Sequence, residues 1–493
     1  MNMTAPAQMM TLAQALQWLS KAQLIGDPQT PISRVHSDTR TVEAGDLFVA
    51  LEGEKFNANH FLLDAKQRGA SAVLCRAGLP ASMYPEGLAR IEVQDTKQAL
   101  GALAKGWRSQ FDIPLIAVTG SNGKTTVTQM LAAILHAHAP EGAALATQGN
   151  LNNDIGVPLT LLRMCAKHRI AVVELGMNHP GEIAGLAAMA QPTVALVNNA
   201  QREHLEFMHT VEAVAQENGA VISALGPQGI AVFPHDDAFV ATWHALAQVR
   251  RSFGFSQDAI PGKETLSCSQ AHWSQGAWDV HAHGKLGGQN LDLHYRLAIA
   301  GRHNVKNSLA AATCAMAAGI PAPTIVAGLE TFTPVKGRSR ALYLRHAQHD
   351  ITLIDDTYNA NPDSVRAAIA VLADLPAPQL LVLGDMGEVG DLGPQFHTEA
   401  ASYAHSQGIE TLFGLGALSQ HAVAGFVHAG GRAQHFESIE ELIAEVKKLL
   451  PSVSSVLVKG SRFMRLERVV EALLCADAFA SKPLLGSEVR HAA

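Results

Sequence analysis

Cysteine is scarce in this chain of 493 residues: Cys75, Cys165, Cys268, Cys314 and Cys475 stand far apart, odd in number and without a CxxC pair. That pattern excludes a disulfide framework, offers no zinc-binding spacing and suits a reducing cytoplasm. Long apolar runs are missing too. No stretch approaches the roughly eighteen residues that a membrane-spanning helix needs, and the N-terminus shows no cationic segment leading into an apolar one. Neither a membrane span nor a secretory signal is expected. A basic excess is also absent: 37 Lys+Arg against 44 Asp+Glu give a formal net charge of −7, the wrong sign for a nucleic-acid partner. No internal repeat or low-complexity tract interrupts the chain. What remains is ordinary globular composition, 47% hydrophobic and 16% charged. The length exceeds one hydrophobic core and suggests about three domains.

Residues 1–95 alternate short apolar runs such as "GDLFVAL" and "ASAVLC" with polar turns, which predicts an α/β module without a phosphate loop of its own. "TKQALGALAKGWRSQF" reads as a helix leading onward, so the first boundary is placed at Asp95. Residues 96–332 carry the strand-like "PLIAVTG", "IAVVELG" and "TVALVNN" and end on the helix-like "NSLAAATCAMAAG", the β/α repeats of a parallel sheet. Between Ser252 and Ala300, short polar-interrupted runs suggest an antiparallel extension. Pro and Gly in "TFTPVKGRS" mark the second boundary. Residues 333–493 then supply "ITLIDD", "QLLVLGD" and "SVLVKG", each followed by a helical segment. The expected fold class is α/β in three domains: a central P-loop ATPase-type parallel sheet, an N-terminal α/β substrate module, and a Rossmann-like doubly wound C-terminal domain. The tail after Ser481 is expected to fray.

The stretch "VTGSNGKTT", Val118 to Thr126, follows a buried strand and precedes a helical pattern. The usual GxxxxGK spacing would put its first glycine at Val118, so the loop is short. Gly120 and Gly123 let backbone approach phosphate oxygens, the helix start favours an anion, Lys124 adds charge, and the Thr125 hydroxyl can ligate Mg²⁺. In open parallel sheets ligands bind beyond the carboxyl ends of strands. "VVELGMNHPGEI" places Glu174 at such an end, and Mg²⁺ takes a few carboxylates plus phosphate and water. "LVNNAQREHLEF" places His204 in a similar loop, where a structural histidine is the ordinary alternative.

Taken together, "GSNGKTT", "TQGNLNNDIGVPLTLL", "ELGMNHPGEI", "GRHNVKNSLAA", "DDTYNANPDS", "LGDMGEVG" and "LVKGSR", in this order between about Ile32 and Val470, resemble the Mur ligases of peptidoglycan synthesis. That superfamily uses the compact TGxxGKTT loop. The resemblance implies ATP and Mg²⁺ as cofactors, with Gly120, Ser121, Asn122, Gly123, Lys124, Thr125 and Thr126 around the phosphates. It implies Lys124, Glu174 and His204 as the catalytic set, with Thr125, Glu174 and His204 as metal-associated residues. His303, Asn304 and Asn307 match the adenine side, where Asn304 would pair with a base edge. Arg338, Asp356, Tyr358 and Asn361 match residues that reach back to the nucleotide. Ser37, Asp38, Thr39 and Arg40 match the module that holds a uridine diphosphate end, and Asn150, Asn152 and Asn153 a loop near the muramyl peptide. Asp385, Glu388, His397, Lys459 and Ser461 lie in segments that border an incoming dipeptide. Ordinary readings exist beside these: a surface turn for Ser37 to Arg40, a helix cap for "NPDS", a solvated strand-end lysine for Lys459.

The branch most resembled joins D-alanyl-D-alanine to UDP-N-acetylmuramoyl-tripeptide, which implies a cytoplasmic, monomeric enzyme. "YNANPDS" stands where a diaminopimelate-adding relative would carry "DNPR". A folylpolyglutamate synthase, or a P-loop switch or motor, is the rival. One departure stands out. Many relatives carry an AKGE-type segment whose lysine becomes carbamylated and bridges to a second Mg²⁺, but here Val211 to Ile222 read "VEAVAQENGAVI", with Asn218 in that place and no lysine between Lys167 and Lys263. Activity is therefore expected to be independent of CO₂. The second metal is expected to rest on ATP oxygens, His204 and the substrate acyl phosphate, with Asn218 accepting from metal-bound water and Glu217 adding charge if turned inward.

Overall fold

The computed structural model describes residues 8–53, 56–260, 263–346 and 349–475; the expectation for the tail after Ser481 falls outside them. Three large sheets follow one another along the chain. The N-terminal one has five strands, in the order Gln23–Ile25, Ala89–Val93, Ala72–Arg76, Asp46–Val49 and Arg34–His36, parallel except at the Gln23–Ile25 edge. The central sheet has nine. From one edge run Ala144–Ala146, Ile170–Glu174, Leu115–Thr119, Val194–Val197, Ile230–Pro234, Arg251–Ser256 and Thr265–Ser274, all parallel, and the hairpin strands Ala277–Leu286 and Gln289–Leu297 then continue antiparallel. The antiparallel extension therefore begins only after Ser274. In the C-terminal sheet of six strands, Arg340–His346 is an antiparallel edge to the parallel set His349–Asp356, Ser455–Lys459, Gln379–Gly384, Thr411–Leu415 and Arg432–Phe436.

The central strands are continuous apolar runs because both faces of the sheet are covered. Along Leu115–Thr119, Leu115 and Ala117 face one core while Ile116 and Val118 face the other, and each fully buried aliphatic side chain is worth about 1.5 to 3 kcal/mol. The helix Lys124–His138 buries Val127, Met130, Leu131, Ile134 and Leu135, a spacing of three and four residues that makes one apolar stripe. Helix Ala322–Thr331 crosses it closely: a Cβ on Gly328 would lie 2.4 Å from Ile134 Cα. Helix Thr96–Arg108 is capped by Asp95, which accepts from the N–H groups of Lys97 and Gln98 at 2.9 Å. It joins the N-terminal sheet to the central one by burying Leu100, Leu103 and Ala104 in a core common to both.

Parallel register decides where the chemistry sits. Val118 lies opposite Glu174 and Thr119 opposite Val197, so three neighbouring strands end at one level and their following loops meet there. No helix among the described residues is long and apolar enough to cross a membrane.

Candidate active site

Strand Leu115–Thr119 runs into Gly120 at φ +133°, and Gly123 at φ +80° opens the helix Lys124–His138. Glycine is required at both positions by conformation and by space: a Cβ on Gly120 would meet Asn198 Cβ at 2.9 Å, and one on Gly123 would meet Asn307 Oδ1 at 2.5 Å. The loop is tied down from outside. Gly120 N–H donates to Asn218 Oδ1 at 2.9 Å, Ser121 N–H to the Asn199 carbonyl at 3.2 Å, and Asn122 N–H to Asn199 Oδ1 at 2.9 Å. The first N–H groups of the helix have no intrahelical acceptor, and Gly123, Lys124, Thr125 and Thr126 all line a cavity of about 1210 Å³.

Lys124 folds back over its own loop. Its ammonium donates to the carbonyls of Gly120 and Ser121 and pairs with Glu203 at 2.8 Å. Beside it, Thr125 Oγ1 donates to Glu174 Oε1 at 3.0 Å, as does Asn152 Nδ2 at 2.8 Å, while Glu174 Oε2, in a residue 1% exposed, has no partner. A buried, unpartnered carboxylate oxygen is costly by itself. An oxygen-only set of hydroxyl and carboxylate at a phosphate loop fits a hard cation such as Mg²⁺.

His204 sits at φ +50° between two glutamates, its Nδ1 2.6 Å from Glu388 and its Nε2 3.6 Å from Glu203. Burial works against charge on the ring, but the bonds and charges of Glu203 and Glu388 outweigh it and carry the pKa up to about 9. In this arrangement His204 lies between a carboxylate of the central domain and one of the C-terminal domain.

The far wall belongs to the C-terminal domain. Asn361 caps helix Pro362–Ala373 by accepting from Ser364 N–H at 2.8 Å, and its Nδ2 also donates to Asn122 Oδ1 at 2.9 Å, so the cap reading and the cavity reading both hold. Arg202, on the central side, pairs with Asp363 at 2.7 Å and Glu399 at 3.0 Å. Asp356 accepts from Lys459 at 2.6 Å and from Ser339 N–H at 2.9 Å. Arg338 lies over the Tyr358 ring at 4.0 Å, with Arg462 on the same ring at 6.0 Å.

Three family models cover most of the chain: the Mur ligase middle domain over residues 118–315, the Mur ligase glutamate ligase domain over 340–462, and the Mur ligase family catalytic domain over 31–108. The chain belongs to the Mur ligase family. It is 38% identical over 444 residues, 90% of this chain and 94% of the relative, to the UDP-N-acetylmuramoyl-tripeptide–D-alanyl-D-alanine ligase of Escherichia coli. The Haemophilus influenzae protein of the same name is 36% identical over 94% of this chain and 97% of its own. A crystal structure of MurF from Acinetobacter baumannii superposes with a TM-score of 0.84 at 32% identity, covering 94% of this chain and 98% of that one.

Within this Mur ligase, the cavity wall includes Ser121 to Thr126, Asn150, Asn152, Asn153, Glu174, His204, His303, Asn304, Asn307, Arg338, Asp356, Tyr358, Asn361, Glu388, Lys459 and Ser461. Several have other work. Asn304, 2% exposed, spends both ends of its amide inside the protein, donating to Ala300 O at 2.7 Å and accepting from Asn307 at 2.8 Å. Asn307 in turn accepts from Asn198 at 2.9 Å. These amides brace the phosphate loop, and Asn304 lines the cavity with one amide proton and one carbonyl lone pair still uncommitted. Asn153 Oδ1 accepts from Gly156 N–H at 2.9 Å at the start of helix Gly156–Leu161. Lys459, 3% exposed, is no solvated lysine.

Asp385 and His397 do not line the cavity, although Glu388, Lys459 and Ser461 of the same group do. Asp385 accepts from the N–H groups of Leu418 and Ser419, at 3.0 and 2.7 Å, anchoring the helix Ser419–His428. His397 is fully buried, accepting from Met386 N–H at 3.0 Å and meeting Gly393 O at 2.7 Å; burial holds its pKa below the ordinary value. Gly120, behind the loop, also lies off the wall. Ser37, Asp38, Thr39 and Arg40 stand apart on the N-terminal domain: Asp38 pairs with Arg40 at 2.7 Å, and those bonds hold its carboxyl at about 2. Asn218 and Glu217 both bond backbone groups. Asn218 holds Gly120, and Glu217 accepts from Gly181 and Ile183 N–H at 2.8 Å, at the start of helix Glu182–Ala190.

Sequence reasoning missed Glu203, Arg202 and Arg462. The strand-end rule that singles out His204 covers the whole loop after Val197 and so reaches Arg202 and Glu203 as well, and Arg462 closes the "LVKGSR" motif just beyond strand Ser455–Lys459.

Proposed function

We propose that this chain joins the amine of D-alanyl-D-alanine to the terminal carboxylate of UDP-N-acetylmuramoyl-tripeptide through an acyl phosphate formed from ATP, as a monomer in the cytoplasm. The observation that carries this reading is the single cavity in which the phosphate loop, Glu174 and the C-terminal Arg338, Asp356 and Tyr358 face one another. Relatives named for this reaction align along nine-tenths of the chain. In the assignment, residues 1–95 hold the uridine end through Ser37 to Arg40, residues 96–332 hold ATP, and residues 333–493 close over the dipeptide.

A carboxylate resists amine attack because an oxide-equivalent group would have to leave. Phosphorylation removes that obstacle: the carboxylate oxygen bonds to the γ-phosphorus as ADP departs, then the neutral amine nitrogen bonds to the acyl carbon as phosphate departs, and the proton that nitrogen gives up passes to solvent. Lys124 leaves Glu203 to meet phosphate oxygens, and the helix N-terminus supplies oriented N–H groups where charge spreads. Mg²⁺, held by Thr125 and Glu174, would supply further charge neutralisation at the phosphates. Asn122 bonded to Asn361, and Arg202 bonded to Asp363 and Glu399, hold the two domains in the closed geometry that orients the reactants.

The test is ADP release by purified protein with ATP, UDP-N-acetylmuramoyl-tripeptide and D-alanyl-D-alanine. Omission of either acceptor should leave only slow background hydrolysis. Full ATP turnover without the dipeptide would place the chain among switches or motors, and preference for a single amino acid would make it a different amide ligase.

A further inference from the structure

Two carboxylate oxygens buried at the cavity have no hydrogen-bond partner, Glu174 Oε2 and Glu203 Oε2. The first belongs to the metal position beside Thr125. The second is unaccounted for. Glu203 is 8% exposed, and its other oxygen faces two cations, Lys124 Nζ at 2.8 Å and His204 Nε2 at 3.6 Å.

The balance of charge here cannot survive nucleotide binding unchanged. When phosphate draws Lys124 away, Glu203 stays buried and loses its nearer cation, and a buried carboxylate left without compensation is strongly unfavourable. Several neighbouring cations are already engaged. The Arg202 guanidinium is committed to Asp363 and Glu399, Lys306 to Asp236 at 2.7 Å, and Lys459 to Asp356 at 2.6 Å. His204 already shares itself with Glu388 at 2.6 Å. Asn218 is neutral and its oxygen is taken by Gly120 N–H.

We infer that Glu203 is a ligand, through Oε2, of a second divalent cation that arrives with the nucleotide, exchanging Lys124 for the metal on one carboxylate. A hard carboxylate oxygen at a triphosphate site suits Mg²⁺, which keeps its remaining positions for phosphate oxygens and water. The inference rests on the reading of this cavity as an ATP site. It also gives the structure a reason to keep Glu203 buried beside the one lysine that must move.

The experiment counts Mn²⁺, as a probe for Mg²⁺, by the electron paramagnetic resonance signal of the free ion, in the full chain saturated with a non-hydrolysable ATP analogue. Binding of the analogue is measured in the same samples by calorimetry. Wild type should hold two Mn²⁺ per chain. Glu203→Gln, which keeps shape but not charge, should hold one tightly and the other at least about tenfold more weakly, while still binding the analogue; a carboxylate-to-metal contact of about 1.4 kcal/mol or more corresponds to that factor. Glu203→Asp should restore part of the second site, and it serves also if the Gln variant fails to fold by circular dichroism. Two equally tight Mn²⁺ in folded Glu203→Gln, or only one in wild type, overturns the inference and leaves Glu203 as a counter-ion to Lys124. Failure of wild type to bind the analogue at all would instead overturn the ATP reading.

Discussion

Lys124 and Lys459 border the same cavity, each beyond or at the carboxyl end of a buried parallel strand and each ion-paired, at 2.8 Å to Glu203 and 2.6 Å to Asp356. They differ in how completely the partner is satisfied. Asp356 uses its other oxygen on Ser339 N–H at 2.9 Å, and Lys459 also donates to Asn359 O at 2.9 Å. Glu203 leaves its second oxygen bare. The pair at Lys459 is a closed set that fastens two strands of the C-terminal sheet, whereas the pair at Lys124 holds a cation that another anion can take. Two strand-end lysines with similar sequence signals thus divide into a fixed part of the fold and a moving part of the chemistry.

The comparison breaks most visibly at Lys459. Lys459→Ala leaves Asp356 poorly compensated in a site where the lysine side chain is 4% and the aspartate 15% exposed, and loss of one member of such a pair costs about 3 to 5 kcal/mol. Thermal or urea unfolding should show that loss in the C-terminal domain. A variant with wild-type stability and no activity would make Lys459 the chemical lysine and reverse the assignment.

Lys124→Ala should add a chemical loss to a structural one: melting also falls, because buried Glu203 keeps only His204 as a counter-ion, and ligation by the folded variant slows about a hundredfold or more, the usual cost of removing one charge-stabilising contact from a phosphoryl-transfer transition state. Near-normal turnover would remove the phosphate loop from the mechanism.

A smaller effect is expected at Arg202, which holds Asp363 and Glu399 of the C-terminal domain from the central side with its side chain 23% exposed. Arg202→Ala should loosen closure, raising KM for the dipeptide several-fold, in keeping with about 1 kcal/mol for a partly exposed ion pair. Nucleotide affinity should hold. If affinity for ATP falls as far as affinity for the dipeptide, Arg202 is bracing the phosphate loop and not the domain contact.

The parts of this site that were legible in the sequence are those set by local backbone. The glycines at 120 and 123 follow from a strand that must turn sharply into a helix, and Glu174 from a strand end that parallel register brings beside it. Contacts with residues remote in the chain are not legible in this way. His397 and Asp385 lie in a segment that resembles a substrate border, but their partners are backbone groups at Met386 and at Leu418 and Ser419, across a helix junction. Asn304 reads as a polar helix start facing a ligand, and it does line the cavity while bonding Ala300 and Asn307 within its own turn. Glu203 reads as one more charged loop residue, because burial is a tertiary fact.

The smallest expected effect is none at all, and it concerns bicarbonate. A lysine carbamate forms from CO₂ and a neutral amine, so an enzyme that relies on one loses activity in degassed buffer and recovers it when bicarbonate is added at fixed pH. Asn218 cannot form that adduct, and its oxygen is already bound to Gly120 N–H at 2.9 Å. The lysines that line the cavity, Lys124, Lys306 and Lys459, each face a carboxylate within 2.8 Å; a carbamate on any of them would set two anions side by side, which desolvation makes strongly unfavourable. Ligation rates in degassed buffer with and without bicarbonate should therefore agree. Activity that returns only with bicarbonate would mean that one of these lysines abandons its partner, and Lys124, whose partner is the least satisfied, would be the first to examine by mass spectrometry of the trapped carbamate.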